Sequence, residues 1–170
     1  MVNPDKSLKF ININGIQVFE KNIKVNGYQQ DGAISFSKDG IYFLTNSYDS
    51  IFSLWNTRGE KIRDYSGHKG AVNSVYFSPD ETKILSASED KTAIIWNLDG
   101  RQMYILSGHN KGIRTAKFSN SGKFIITASL DKSVKLWSSN GTLIKTIDNL
   151  HFHDYFDVNF SPDEKYIVMP

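Results

Sequence analysis

Tryptophan stands at three places in this chain of 170 residues, Trp55, Trp96 and Trp137, each 41 residues after the last. Asp49, Asp90 and Asp131 keep the same step, six residues ahead of each tryptophan. Phe36-Ser37, Phe77-Ser78 and Phe118-Ser119 recur at 41 as well, and Phe160-Ser161 follows at 42. Thr45, Ser86 and Thr127 form another column, and Gly67-His68 and Gly108-His109 a further one. His151 precedes Phe160 by nine residues, as His68 and His109 precede Phe77 and Phe118. A unit of this length cannot enclose a core by itself. It must stack its apolar faces on neighbouring copies, so the period limits the fold to a repeat architecture.

Each unit reads as four short strands. Ala71 to Phe77 alternates apolar with small or polar residues and predicts the first strand. Ser78-Pro79-Asp80-Glu81 then turns the chain, with proline presetting φ at the second turn position. Lys83 to Ser88 and Thr92 to Trp96 predict the second and third strands, and Met103 to Leu106 the fourth. Asp99-Gly100, Asn140-Gly141 and Asn14-Gly15 have the composition of two-residue hairpin turns with positive φ. No segment carries a helical period. The N-terminal stretch joins the scheme in mid-unit, because Asp5 to Ile11 followed by Asn14-Gly15 copies Asp131 to Trp137 followed by Asn140-Gly141. The chain therefore reads as two strands, three full units and two more strands.

The Gly-His, Phe-Ser-Pro-Asp, Asp and Trp columns at this step resemble the WD-repeat family of β-propellers, over about residues 5 to 170. Two departures stand out. The residue after each tryptophan is Asn56, Asn97 or Ser138 rather than aspartate, and Gly27-Tyr28 replaces Gly-His in the first full unit. The resemblance implies an all-β propeller of four-stranded antiparallel blades around a channel. The boundaries would be a half-blade over 1–26, blades over 27–66, 67–107 and 108–149, and a half-blade over 150–170, four blade equivalents in all. It also implies that His68, Ser86, Asp90 and Trp96 form a buried hydrogen-bonded network in one blade, and His109, Thr127, Asp131 and Trp137 in the next. The chemistry is reasonable without the family: a buried aspartate needs donors, and a histidine with turn amides can supply them. The first full unit, with Tyr28 in the histidine column, is expected to be the weaker blade.

Composition narrows the function. Lys+Arg 20 against Asp+Glu 18 is a near balance, with the basic residues scattered, which suits neither a phosphate backbone nor an anionic membrane. With no cysteine there is no disulfide, thiolate metal site or cysteine nucleophile. No apolar run approaches the ~18 residues that span a bilayer, and no secretory signal is legible, so a cytoplasmic location is the expectation. His68, Asp90 and Ser86 have the residue types of a nucleophilic triad, but the set recurs in the next unit, as a structural element would and an active site seldom does. His151-Phe152-His153-Asp154 offers two imidazoles at strand spacing without an evident third ligand. No phosphate-binding loop or hydrolase motif is present, so the expectation is a non-enzyme without cofactor or metal.

What remains is binding. By the resemblance, partner proteins or peptides dock where loops from each blade converge. The family positions carried over are Tyr48, Asn73, Glu89, Arg114, Leu130 and Phe156. Four blades are fewer than the seven or eight usual in the family. If each open blade face is on the order of 400 Å², its exposure forgoes roughly 10 kcal/mol. Two copies closing an eight-bladed ring through complementary half-blades, or a piece of a longer, enzyme-linked propeller, are the two expectations. The joining blade would lack the polar network, since Ile11 falls in the tryptophan column and Met169 in the Ser/Thr column.

Overall fold

The computed structural model describes residues 7–11, 13–22, 34–46, 49–148 and 157–169. Among them lie five antiparallel sheets and no helix, and each sheet runs in chain order. β1 (Ser7–Ile11) pairs with β2 (Gln17–Asn22). β3 (Ile34–Phe36), β4 (Tyr42–Asn46), β5 (Ile51–Asn56) and β6 (Lys61–Ser66) form the first blade. β7 (Val72–Phe77), β8 (Lys83–Ser88), β9 (Thr92–Asn97) and β10 (Gln102–Ser107) form the second. β11 (Ile113–Phe118), β12 (Phe124–Ser129), β13 (Ser133–Ser138) and β14 (Leu143–Ile147) form the third. β15 (Asn159–Phe160) and β16 (Ile167–Val168) close the series.

The two short sheets are parts of the same unit. β1 pairs with β2 at Phe10↔Phe19, then slips to Ile11↔Gln17. β13 and β14 make the same slip, from Leu136↔Lys145 to Trp137↔Leu143. The first sheet is thus the third and fourth strands of a blade, with Ile11 in the tryptophan place. Phe160↔Ile167 likewise repeats Phe118↔Ile125, so β15 and β16 are the first and second strands of one.

Both faces of each full blade are covered, which is why the second strands read as unbroken apolar runs rather than an alternation. Phe43, Ile84 and Ile125 face the preceding sheet, while Leu44, Leu85 and Ile126 face the following one. Each tryptophan faces backward too: Trp55 meets Phe10 and Phe43, Trp96 the aromatic pair Phe52 and Tyr65, and Trp137 the Leu85–Ile95–Leu106 face. Phe52 and Tyr65 stack at 4.5 Å, and Trp96 stands edge-on to them at 5.5 and 5.8 Å, an arrangement the ring quadrupoles favour. The Tyr65 hydroxyl donates to the Leu98 carbonyl at 2.9 Å, pinning the first blade to a turn of the second, and burial pushes its pKa up to about 12.

The hairpins between third and fourth strands differ from the expected two-residue turns. Gly100 N–H donates to the Asn97 carbonyl and Asn97 N–H to the Arg101 carbonyl, and Gly100 alone of the central residues has positive φ, at 94°. This is a three-residue loop, a type I turn followed by a left-handed glycine and a bulge. Asp-Gly fits both turn types. The slip of one residue in the fourth strand selects the longer one.

Candidate functional site: the loop face and the network beneath it

The strand order fixes which loops share an end. Connections from fourth strand to first, 67–71 and 108–112, lie at the same end as the turns between second and third strands, 89–91 and 130–132. The turns after first and third strands lie at the opposite end. The sequence-derived binding residues of the second and third blades all fall at the first of these ends, here the loop face.

Beneath that face the network is continuous. Trp96 Nε1–H donates to Ser86 Oγ at 2.7 Å, and Ser86 Oγ lies 2.7 Å from His68 Nε2. His68 Nδ1 lies 2.8 Å from Asp90 Oδ2. The ionised carboxylate only accepts, so Nδ1 carries the proton. In the neutral ring Nε2 is then the acceptor, taking the Ser86 hydroxyl proton. Asp90 also accepts from Lys69 N–H at 2.8 Å and from the Thr92 hydroxyl at 2.6 Å. Burial alone would raise the Asp90 carboxyl. The bonds from His68, Thr92 and Lys69 overcome it and hold the group well below the usual carboxylate range.

The third blade repeats the arrangement. Trp137 Nε1–H donates to Thr127 Oγ1 at 2.9 Å, His109 Nε2 lies 2.8 Å from the same oxygen, and His109 Nδ1 lies 3.0 Å from Asp131 Oδ2. Asp131 is held at about 2, burial being opposed by Ser133, the Asn110 amide and His109. Burial keeps His109 below the ordinary histidine value in spite of Asp131. In the first blade Trp55 Nε1–H donates to Thr45 Oγ1 at 2.9 Å, while Tyr28 lies outside the described residues.

The Ser86–His68–Asp90 connectivity is that of a hydrolytic triad, yet Ser86 is 0% exposed and its oxygen is already bonded by Trp96. A substrate carbonyl has no path to it. Among the described residues no group of three or more His, Asp or Glu is placed to hold a metal ion; His151, His153 and Asp154 lie outside them.

Of the six residues expected to bind a partner, three meet in one cluster. The ladder skips Asn73 between Val72↔Ser88 and Ser74↔Ala87, and skips Arg114 between Ile113↔Ser129 and Thr115↔Ala128. Both are therefore bulged residues at equivalent places in the first strands, and such bulges re-aim a side chain. Glu89 joins them: its Oε1 accepts from Asn73 Nδ2 at 2.9 Å and from Arg114 Nη1 at 2.7 Å. Asn73 is only 2% exposed and also donates to the Ile113 carbonyl at 2.8 Å, so it braces the cluster from below rather than presenting itself to a partner. Arg114 and Glu89 keep side-chain exposures of 17% and 37%. Gly112 makes this possible, since a β-carbon there would stand 2.2 Å from Glu89 Oε2. Leu130 is half-buried in the neighbouring turn, and Tyr48 and Phe156 lie outside the described residues.

Sequence reasoning missed Asn46, whose Nδ2 donates to the Val72 carbonyl at 2.8 Å. Asn73 does the same for Ile113 one blade later, from a different strand position, so no 41-residue column reveals the shared role. It also missed a cleft of about 520 Å³ at the opposite end, where Phe36, Tyr76, Phe77 and Phe118 converge with Lys38 and Lys117. Lys38 is bonded to the Pro79 carbonyl and Lys117 to Asp157 there.

With this geometry in view, the comparisons agree. The family model described as WD domain, G-beta repeat matches residues 59–97 and 100–138. Each matched span holds the fourth strand of one blade and the first three of the next. The matched residues are WD repeats, and the sheets of the chain are blades of the β-propeller type. No curated protein matches the sequence. Proteins of this family are typically non-catalytic scaffolds that mediate protein interactions.

Proposed function

We propose that this chain is a non-catalytic scaffold, acting in the cytoplasm, that binds a protein or peptide across the loop face of its second and third blades. One observation carries the reading: Arg114 at the bulge of β11 and Glu89 in the turn after β8 are bonded to each other and braced from beneath by buried Asn73, so a charged pair is presented in a defined geometry. Preorganised polar groups beside a half-buried apolar side chain, Leu130, are what a peptide-binding surface needs. The buried Ser86 and Thr127 favour a structural over a catalytic role for the two networks. The test is selection of binding peptides from a charge-unbiased displayed library, followed by hydrogen exchange of the complex. Protection is expected in residues 67–71, 89–91, 108–112 and 130–132. Peptides that protect only the opposite end, or none that bind, would defeat the reading.

A second copy closing the ring is favoured by the two short sheets. Among the described residues β1 and β16 each pair with one strand, and together the two sheets hold the four strands of one blade. Carrying over the register of β12 and β13 places Ile167 opposite Ile11 and Val168 opposite Phe10. Further blades of a larger, enzyme-linked protein would occupy the same edges, and the mass in solution decides between them.

A further inference from the structure

Among the described residues four other than glycine hold a left-handed backbone: Glu81, Lys91, Lys132 and Glu164, at φ of 58, 74, 65 and 58°. All occupy the same place in a tight turn, the one that Gly40 and Gly122 fill elsewhere, with the N–H of the residue bonded three residues back. A side chain there carries a conformational cost that persists where something offsets it. For the two glutamates the offset is visible. Glu81 accepts from the Lys38 amide, and Glu164 from the amide and, at 2.8 Å, the hydroxyl of Ser121, each fastening its turn to the preceding blade.

The two lysines have no such contact. Among the described residues neither ammonium meets a carboxylate or a side-chain acceptor, and both are exposed on the loop face. Lys69 and Lys111, from the connections into β7 and β11, stand exposed on the same face, likewise without an ion pair. Three of the carboxylates nearest them are already engaged: Asp90 and Asp131 in the buried networks, and Glu89, which stays on the face, with Asn73 and Arg114. Two adjacent blades thus present four unneutralised cations, bounded at this end by the exposed Asp49 and Asp148. At the opposite end exposed Asp39, Asp80 and Asp99 interleave with Arg101 and Lys83, and no such field arises.

We infer that the loop face of the second and third blades, through Lys69, Lys91, Lys111 and Lys132, binds a glutamate- and aspartate-rich segment of a partner protein. The inference rests on the scaffold reading above and adds the chemistry of the partner. Lysine ammoniums are point charges on flexible stems, suited to carboxylates spaced along an extended chain. Phosphate recognition favours the arginine fork, and Arg114 is committed to Glu89. The bordering acids and a net charge of +2 oppose the long, uniformly charged track of a nucleic acid.

The test is fluorescence anisotropy with a labelled peptide alternating glutamate and glycine, against the full chain. Each Lys→Gln change among the four should weaken binding about two- to fivefold, and the quadruple variant on the order of 30-fold. The thermal midpoint should not move, and wild-type affinity should fall as salt shortens the range of the field. The control Lys83→Gln with Lys123→Gln, at the opposite end, should leave affinity unchanged. Absence of binding by the wild type, an unaltered quadruple variant, or an equal loss in the control overturns the inference. So does single-stranded DNA of equal charge binding more tightly than the peptide and losing affinity in the same variants. If displayed peptides protect the loops but carry no excess of acidic residues, the inference fails while the scaffold reading stands. If none protects the loops, both fail.

Discussion

Asp90 is where the family pattern becomes energy. Its carboxylate accepts from His68, the Lys69 amide and both the amide and hydroxyl of Thr92, so truncating it strips four donors of their acceptor. We expect Asp90→Ala to lower unfolding free energy by about 1–3 kcal/mol in chemical denaturation. An unchanged midpoint would show that the network contributes nothing. The same residues set the acid limb. The native carboxyls of Asp90 and Asp131 lie below the ordinary aspartate value of 3.8, so their contribution is complete above that value and is lost as pH falls through the native ones. His109, depressed below 6.5 by burial, adds a loss that begins as pH drops under that value, because the unfolded chain takes up the proton first. Stability of the wild type should therefore decline on acidification in two stages, and Asp90→Ala should flatten the lower one. The aspartate and tryptophan columns were legible in sequence because each full blade repeats them, and the histidine column because the second and third do. Asn46 was not, because its role in bridging to the next blade passes to Asn73 at another strand position.

At the scale of elements, turns and bulges carry the specificity. Strand boundaries followed the apolar pattern closely, and β8 runs over the residues expected for it. The hairpins did not, since Asp-Gly and Asn-Gly are compatible with more than one loop length and the paired strands choose among them. The bulges at Asn73 and Arg114 leave no mark in composition; they arise because one extra residue must be accommodated against the second strand. The turn at Lys91 gives a test of its own. Asparagine tolerates the left-handed region far better than lysine, so Lys91→Asn should stabilise the chain by roughly 0.5–1 kcal/mol. Thermal unfolding of the pair of proteins measures this. A destabilised variant would mean that the lysine is held by native contacts instead of being strained.

For the molecule as a whole, the decisive surfaces are the edges of β1 and β16 and the apolar side chains near them, including Ile11, Tyr166 and Val168, all more than half exposed. Unpaired strand edges with such neighbours recruit another chain. Ring closure by a second copy predicts a sharp species at twice 19.3 kDa in light scattering behind a sizing column. A monodisperse monomer would remove that reading and assign the edges to blades of a larger protein. The joining blade would still be the weak point of a closed ring, because Ile11 and Met169 provide neither the indole N–H nor the hydroxyl of the other blades.

The sequence by itself determined the repeat, the four-strand unit and the polar columns, because stacked copies of one unit must place the same chemistry at the same depth in each. Only the tertiary structure decided that Asn73 braces the loop face while Arg114 and Glu89 remain on it, and that Lys91 and Lys132 lie on that face without an ion pair among the described residues. Those outcomes depend on what the adjoining blade offers each side chain: a carbonyl of β11 for Asn73, a niche above Gly112 for Glu89, and solvent for the lysines. A period along the chain fixes what recurs within a blade, whereas a contact between blades is fixed by which residues face one another across the gap.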